Sequence, residues 1–145
     1  LKNIKKTQEV SPRPSSWESS PSELRAGHPF ALWLSPNNKI QKQLWQLANF
    51  ALELNYQYKK DPNHFASRLH LERGLASCTF WWASGRDFAL FDSPAWNPSE
   101  IEKGAQELIF SIRSLANVSA KNKIKAELVF SALQKNIWLT HWRAN

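Results

Sequence analysis

The run Ser77-Cys78-Thr79-Phe80-Trp81-Trp82-Ala83-Ser84-Gly85-Arg86-Asp87-Phe88 holds the densest chemistry in this 145-residue chain. An indole offers a flat face to a sugar ring or a base, and it carries one N–H donor. Arg86 and Asp87 add a donor fork and a carboxylate, a pair suited to hydroxyl groups. Neighbouring helical residues point about 100° apart, so one flat core face cannot easily take both indoles. Trp82 falls on the inner stripe of a helix through this region. Trp81 follows the small residues Gly74, Ser77 and Cys78 on its own side, where another backbone can come close. Two readings stay open for Trp81. It packs beneath the Phe88–Trp96 connection, or it is a platform for a ligand with Arg86 and Asp87 beside it.

Other chemistries have less to stand on. His28, His64, His70 and His141 never pair at i+3 or i+4, and no Cys pair exists, so no metal is expected. Cys78 sits between Leu75 and Trp82 on the apolar stripe, the place of an inert small hydrophobe and not of an activated thiolate. Gly27, Gly74, Gly85 and Gly104 are isolated, so no loop cradles a phosphate and no cofactor is expected. Asp87 and Asp92 flank an apolar loop and read as solvated charges. Glu100 has a helix-capping role, and Glu102 faces away from the stripe.

Eight tryptophans are far above ordinary usage, and methionine is absent altogether. Without an initiator the chain reads as part of a longer polypeptide. One cysteine agrees with a reducing, cytoplasmic setting, and no segment approaches the roughly 20 apolar residues of a membrane span. The net charge of +7 belongs to the ends: residues 1–13 carry +3, residues 119–145 carry +4, and the stretch between is neutral. A neutral middle disfavours nucleic-acid binding by the Trp-rich segment.

The elements that must position these residues are helical. Residues 1–38, with Pro12, Pro14 and Pro21 among serines, form an extended arm. Trp17, Phe30, Leu32, Trp33 and Leu34 are too apolar for a free tail, so the arm is expected to lie on the body or on another domain. Residues 39–145 form the body. Asn37 or Asn38 caps a first helix carrying Ile40, Leu44, Leu47, Ala51, Leu54 and Tyr58. Asp61-Pro62 starts a second, expected to run unbroken to Gly85 with Leu71, Leu75, Cys78 and Trp82 inward and Phe65, Leu69, Ala76 and Phe80 beside them. Asn97-Pro98-Ser99-Glu100 starts a third, and Ser119 caps a fourth that ends near Trp142. The expected fold is all-α, a four-helix bundle-like domain with an N-terminal arm.

The run Ser77, Phe80-Trp81-Trp82 and Gly85-Arg86-Asp87-Phe88 resembles the last conserved segment of family 57 glycoside hydrolases, the α-glucan-active amylases, branching enzymes and glucanotransferases. This chain carries Cys78 where the family has an acidic residue and Thr79 where it has an aromatic. The resemblance implies a helical region that follows an incomplete barrel and closes one side of a glucan cleft. The family's nucleophile and acid lie in that barrel, and none of its motifs is present here, so no catalysis by this chain alone is implied. The expectation is a non-catalytic C-terminal domain binding an α-glucan or oligosaccharide through Trp81, Arg86 and Asp87, with an upstream domain completing the cleft. The alternatives are a bundle docking a partner protein through exposed aromatics and nucleic-acid binding by the basic ends.

Overall fold

The computed structural model describes residues 12, 14–16, 19–88 and 93–144, without the side chains of residues 87, 88, 93 and 144. Trp17, Leu90, Phe91, Asp92 and the basic residues of 1–13 therefore lie outside the described residues, as does the Asp87 carboxylate.

The fold is all-α. Among the described residues six helices run in the order α1 (Pro21–Arg25), α2 (Lys39–Gln57), α3 (His64–Gly74), α4 (Ser77–Trp81), α5 (Pro98–Ser114) and α6 (Ala120–Ala144). Between α4 and α5 lies a two-residue antiparallel ladder, β1 (Asp87–Phe88) with β2 (Ser93–Pro94), pairing Asp87 with Pro94 and Phe88 with Ser93. Helix α5 is the hub, packed against α2, α3, α4 and α6. Its buried side chains Ile101, Ala105, Leu108, Ile109 and Ile112 meet Leu44, Leu47, Ala51 and Leu54 of α2 and Ala126, Leu133 and Ile137 of α6. Removing this apolar surface from water is the main stabilising term.

Local signals account for most helix starts. The Asn38 side chain accepts from Gln41 N–H and caps α2. Asn97 caps α5 in the same way, with Pro98 in the first turn. The Ser119 hydroxyl accepts from Asn122 N–H at the start of α6. Ser20 and Glu23 form a reciprocal capping box on α1.

The second helix departs from expectation. It breaks after Gly74, and Ala76 takes extended backbone (φ −54°, ψ 133°) before α4 begins. The break follows a close contact between helices. A Cβ on Gly74 would stand 2.7 Å from Leu108 Cγ and 2.9 Å from Leu108 N, so α3 and α5 touch there with no room for a side chain. The break rotates Cys78 off the inner stripe, and the thiol is exposed beside Arg73, Lys103, Glu100 and Glu107. Phe65 and Leu69 likewise point to solvent, at 83% and 40% exposure, while Thr79 and Phe80 are buried.

Asp61 does not cap α3. The helix begins at His64, and the buried Asp61 carboxylate accepts N–H bonds from Asn63 (2.9 Å), Ala116 (3.1 Å) and Asn117 (2.7 Å). It ties the α2–α3 turn to the α5–α6 turn. Desolvation pushes its pKa up, but the backbone donors of Asn117, Asn63 and Ala116 and the charge of Lys123 outweigh that and hold it below the usual carboxylate value.

A second polar link spans three helices. Asn55 Nδ2 donates to Ser67 Oγ (2.9 Å), and Ser67 Oγ donates to the Ser111 carbonyl (2.8 Å). A carbonyl can only accept, so Ser67 must receive from the Asn55 amide, and Asn55 Oδ1 is turned to His64 Nε2 at 3.1 Å. The interior between α2, α3 and α5 is thereby satisfied.

Candidate functional site

The Trp-rich segment is assembled by the arm. Leu32, buried, packs with Ala95 against Trp33 and Trp81. Gln41 holds this layer in place: fully buried, it donates to the carbonyls of Leu32 (2.7 Å) and Phe80 (3.1 Å) and accepts from Ser35 N–H (2.8 Å). Trp45 Nε1 donates to the Trp33 carbonyl at 3.0 Å, and its ring stacks on Phe80 with centroids 4.4 Å apart. One glutamine and one indole of α2 thus bind the arm to α4.

The two adjacent indoles are both half-buried. Trp82 packs on the main core, Trp81 on the Leu32–Ala95 layer, and they meet edge to face with centroids 4.4 Å apart. Each therefore serves a different apolar layer, which answers how one short helix accommodates both. Arg86 pairs with Glu23 of α1. The Ser20 backbone N–H, against opposing desolvation and together with the Ser20 hydroxyl and Arg86, holds Glu23 below its ordinary pKa. Of Asp87 the structure describes the backbone only, paired with Pro94. Neither Trp81 nor Arg86 is among the residues that line the groove described next.

A groove opens one step further along the chain. After α4 the chain turns through Gly85 at φ +64°, a left-handed conformation that favours glycine. It leaves and returns side by side: Gly85 N–H donates to Ala95 O (3.0 Å), Ala95 N–H to Arg86 O (2.7 Å) and Asn97 N–H to Trp82 O (3.2 Å). Asn38 Nδ2 donates to Ala83 O at 2.7 Å, pinning this turn to the start of α2. The resulting groove has a volume of about 430 Å³. Ser35, Asn37, Ser84, Thr140 and Trp96 supply its hydrogen-bonding and aromatic wall, and Lys39 is the single formal charge among the lining residues.

Trp96 is oriented from behind. Its Nε1–H donates to His141 Nδ1 (3.4 Å), and His141 tilts against Trp142 at 4.8 Å and meets Trp138 edge-on at 5.8 Å. Trp138 donates to Glu102 Oε2 at 3.0 Å, and Gln134 bonds the other oxygen of the same carboxylate. Glu102 thus fastens the C-terminal half of α6 to α5. Among the described residues no carboxylate lines the groove, and no cluster of His, Cys, Asp or Glu could hold a metal ion. Again among these residues, no helix is long and apolar enough to cross a membrane.

Sequence reasoning missed Trp96 and Thr140 as groove residues and Gln41 as the clamp. In the sequence Trp96 is one apolar residue of the connection between the second and third helices. The signal available was Trp96 directly before the Asn97 cap, since a cap fixes the residue ahead of it at a helix entrance. Gln41 carries no such signal, because its burial depends on the arm folding back. No protein-family model matches the chain, and no curated protein or solved structure matches it significantly.

Proposed function

We propose that this chain is a non-catalytic helical domain of a carbohydrate-active protein, and that the groove beside the Phe80-Trp81-Trp82 segment holds a stretch of neutral oligosaccharide, an α-glucan by the sequence resemblance. The observation that carries the reading is the composition of the groove wall: one indole, Trp96, among neutral hydroxyl and amide groups, with Lys39 the lone charge. A sugar presents polarised C–H groups on its ring faces and hydroxyls at its rim. An indole face takes the first, and Ser35, Asn37, Ser84 and Thr140 suit the second. Its volume is within the range of small-molecule sites. A phosphate backbone would call for several cations here, which speaks against nucleic acid at this groove.

In this reading Trp96 is the platform, and Trp81 supports the wall by holding the arm and the returning strand together. An upstream domain would complete the cleft above the groove, and a cytoplasmic setting suits the single thiol. The test is a tryptophan-fluorescence titration with a maltooligosaccharide, with single-stranded DNA as the comparison ligand. A saturable, salt-insensitive change with the sugar is expected, lost in Trp96→Ala. A natively folded chain that stays silent towards the maltooligosaccharide would overturn the reading.

A further inference from the structure

Helix α6 is apolar on two opposite faces, and among the described residues only one of them is packed. Ala126, Phe130, Leu133 and Ile137 enter the core. On the far side Ile124, Leu128, Leu139 and Trp142 stand 60%, 68%, 39% and 68% exposed. They are ordered. Lys121, Leu128, Lys135 and Trp142 recur every seven residues, with Ile124 and Leu139 beside them, the spacing of a helix–helix seam in which every second heptad carries a lysine. At 1.5 Å per residue this stripe runs about 30 Å.

Its charge is of one sign. Glu127 is the only carboxylate in α6, and Arg113 of α5 already holds it in a two-pronged pair with both N–O distances 2.7 Å. Lys121, Lys135 and Arg143 form no ion pair among the described residues. A second copy of this chain would add two more lysines to the seam and no free carboxylate to meet them, so self-docking is disfavoured. An acidic partner would neutralise the lysines while burying the four large side chains between them.

We propose that the outer face of α6 is a docking surface for an acidic amphipathic helix of a partner protein, laid lengthwise with its apolar residues against Ile124, Leu128, Leu139 and Trp142 and its carboxylates at Lys121 and Lys135. The seam at Leu128 and Lys135 faces solvent, so this proposal stands or falls apart from the sugar groove.

The test uses the 145-residue chain and a synthetic helix of about 20 residues with leucine at heptad positions and glutamate flanking them, labelled for anisotropy. Expected is saturable binding that weakens with salt and drops about tenfold in Leu128→Glu, an exposed site whose thermal midpoint should not move. A lysine-for-glutamate version of the peptide should bind at least about tenfold more weakly, and Lys135→Glu should narrow that gap. Any of four results would overturn the proposal: no saturable binding, equal affinity for the two peptides, concentration-dependent dimerisation of the chain, or preference for phosphatidylserine vesicles over the acidic peptide.

Discussion

Trp81 and Trp96 look alike in the sequence and do different work in the structure. Trp81 packs on Leu32 and Ala95, whereas Trp96 walls the groove with its N–H turned to His141. Trp81→Ala should therefore cost stability, about 2 kcal/mol for a half-buried indole, as read from denaturant unfolding. Trp96→Ala should leave the far-UV spectrum unchanged and remove the fluorescence response to a maltooligosaccharide. Gln41 gives a sharper stability test. Gln41→Leu keeps the volume but strands the Leu32 carbonyl and the Ser35 N–H, a cost of about 2–3 kcal/mol, while the Phe80 carbonyl keeps its bond from Ala83 N–H. An unchanged denaturation midpoint would mean that the arm does not need this clamp. None of these roles is written in residue type alone, because the arm must first bring residue 32 within reach of residue 95.

At the scale of elements, the helix starts at Asn38, Asn97 and Ser119 were legible, since a cap acts on residues two or three positions away. The break between α3 and α4 was not. The apolar spacing of Leu71, Leu75, Cys78 and Trp82 continues through it, and the close approach at Gly74 comes from Leu108, more than thirty residues on. Gly74→Ala sets the two effects against each other. Helix propensity alone would favour alanine by about 1 kcal/mol. The new Cβ would press within 3 Å of Leu108, partly on its backbone N, which no rotamer change relieves. Overpacking of that kind costs about 1–3 kcal/mol, so a lower thermal midpoint is expected. Helix α6 offers the matching contrast. Leu133→Ala, in the core, should cost about 2–5 kcal/mol, and Leu128→Ala on the outer face should cost under about 0.5 kcal/mol. Equal losses would mean that the outer face is covered.

Over the whole molecule, the groove lies at one end of the helices and Asp61 closes the other. The Asp61 carboxylate spans two turns, α2–α3 and α5–α6, which meet only in the folded chain. Its folded pKa is lowered, so it binds its proton less readily in the folded state than in the unfolded chain. The stabilisation it supplies is therefore complete above the unfolded value near 4 and is lost as pH falls through the lower folded value. Asp61→Asn should lower the thermal midpoint at neutral pH and flatten its decline below about pH 4. Equal slopes in the two proteins would remove Asp61 from the acid transition. Glu23, lowered in the same direction, adds a parallel contribution at the groove end.

The sequence by itself determined the all-α class, the caps at Asn38, Asn97 and Ser119 and the core faces of α2 and α5, because periodicity and capping are short-range physics. Only the tertiary structure decided which indole faces a groove, why Cys78 and Phe65 are outside, and that Asp61 joins two turns instead of starting a helix. Each of those outcomes depends on a neighbour far along the chain: Leu32 on Trp81, Leu108 on Gly74, Asn117 on Asp61. Spacing along the sequence carries no record of such neighbours.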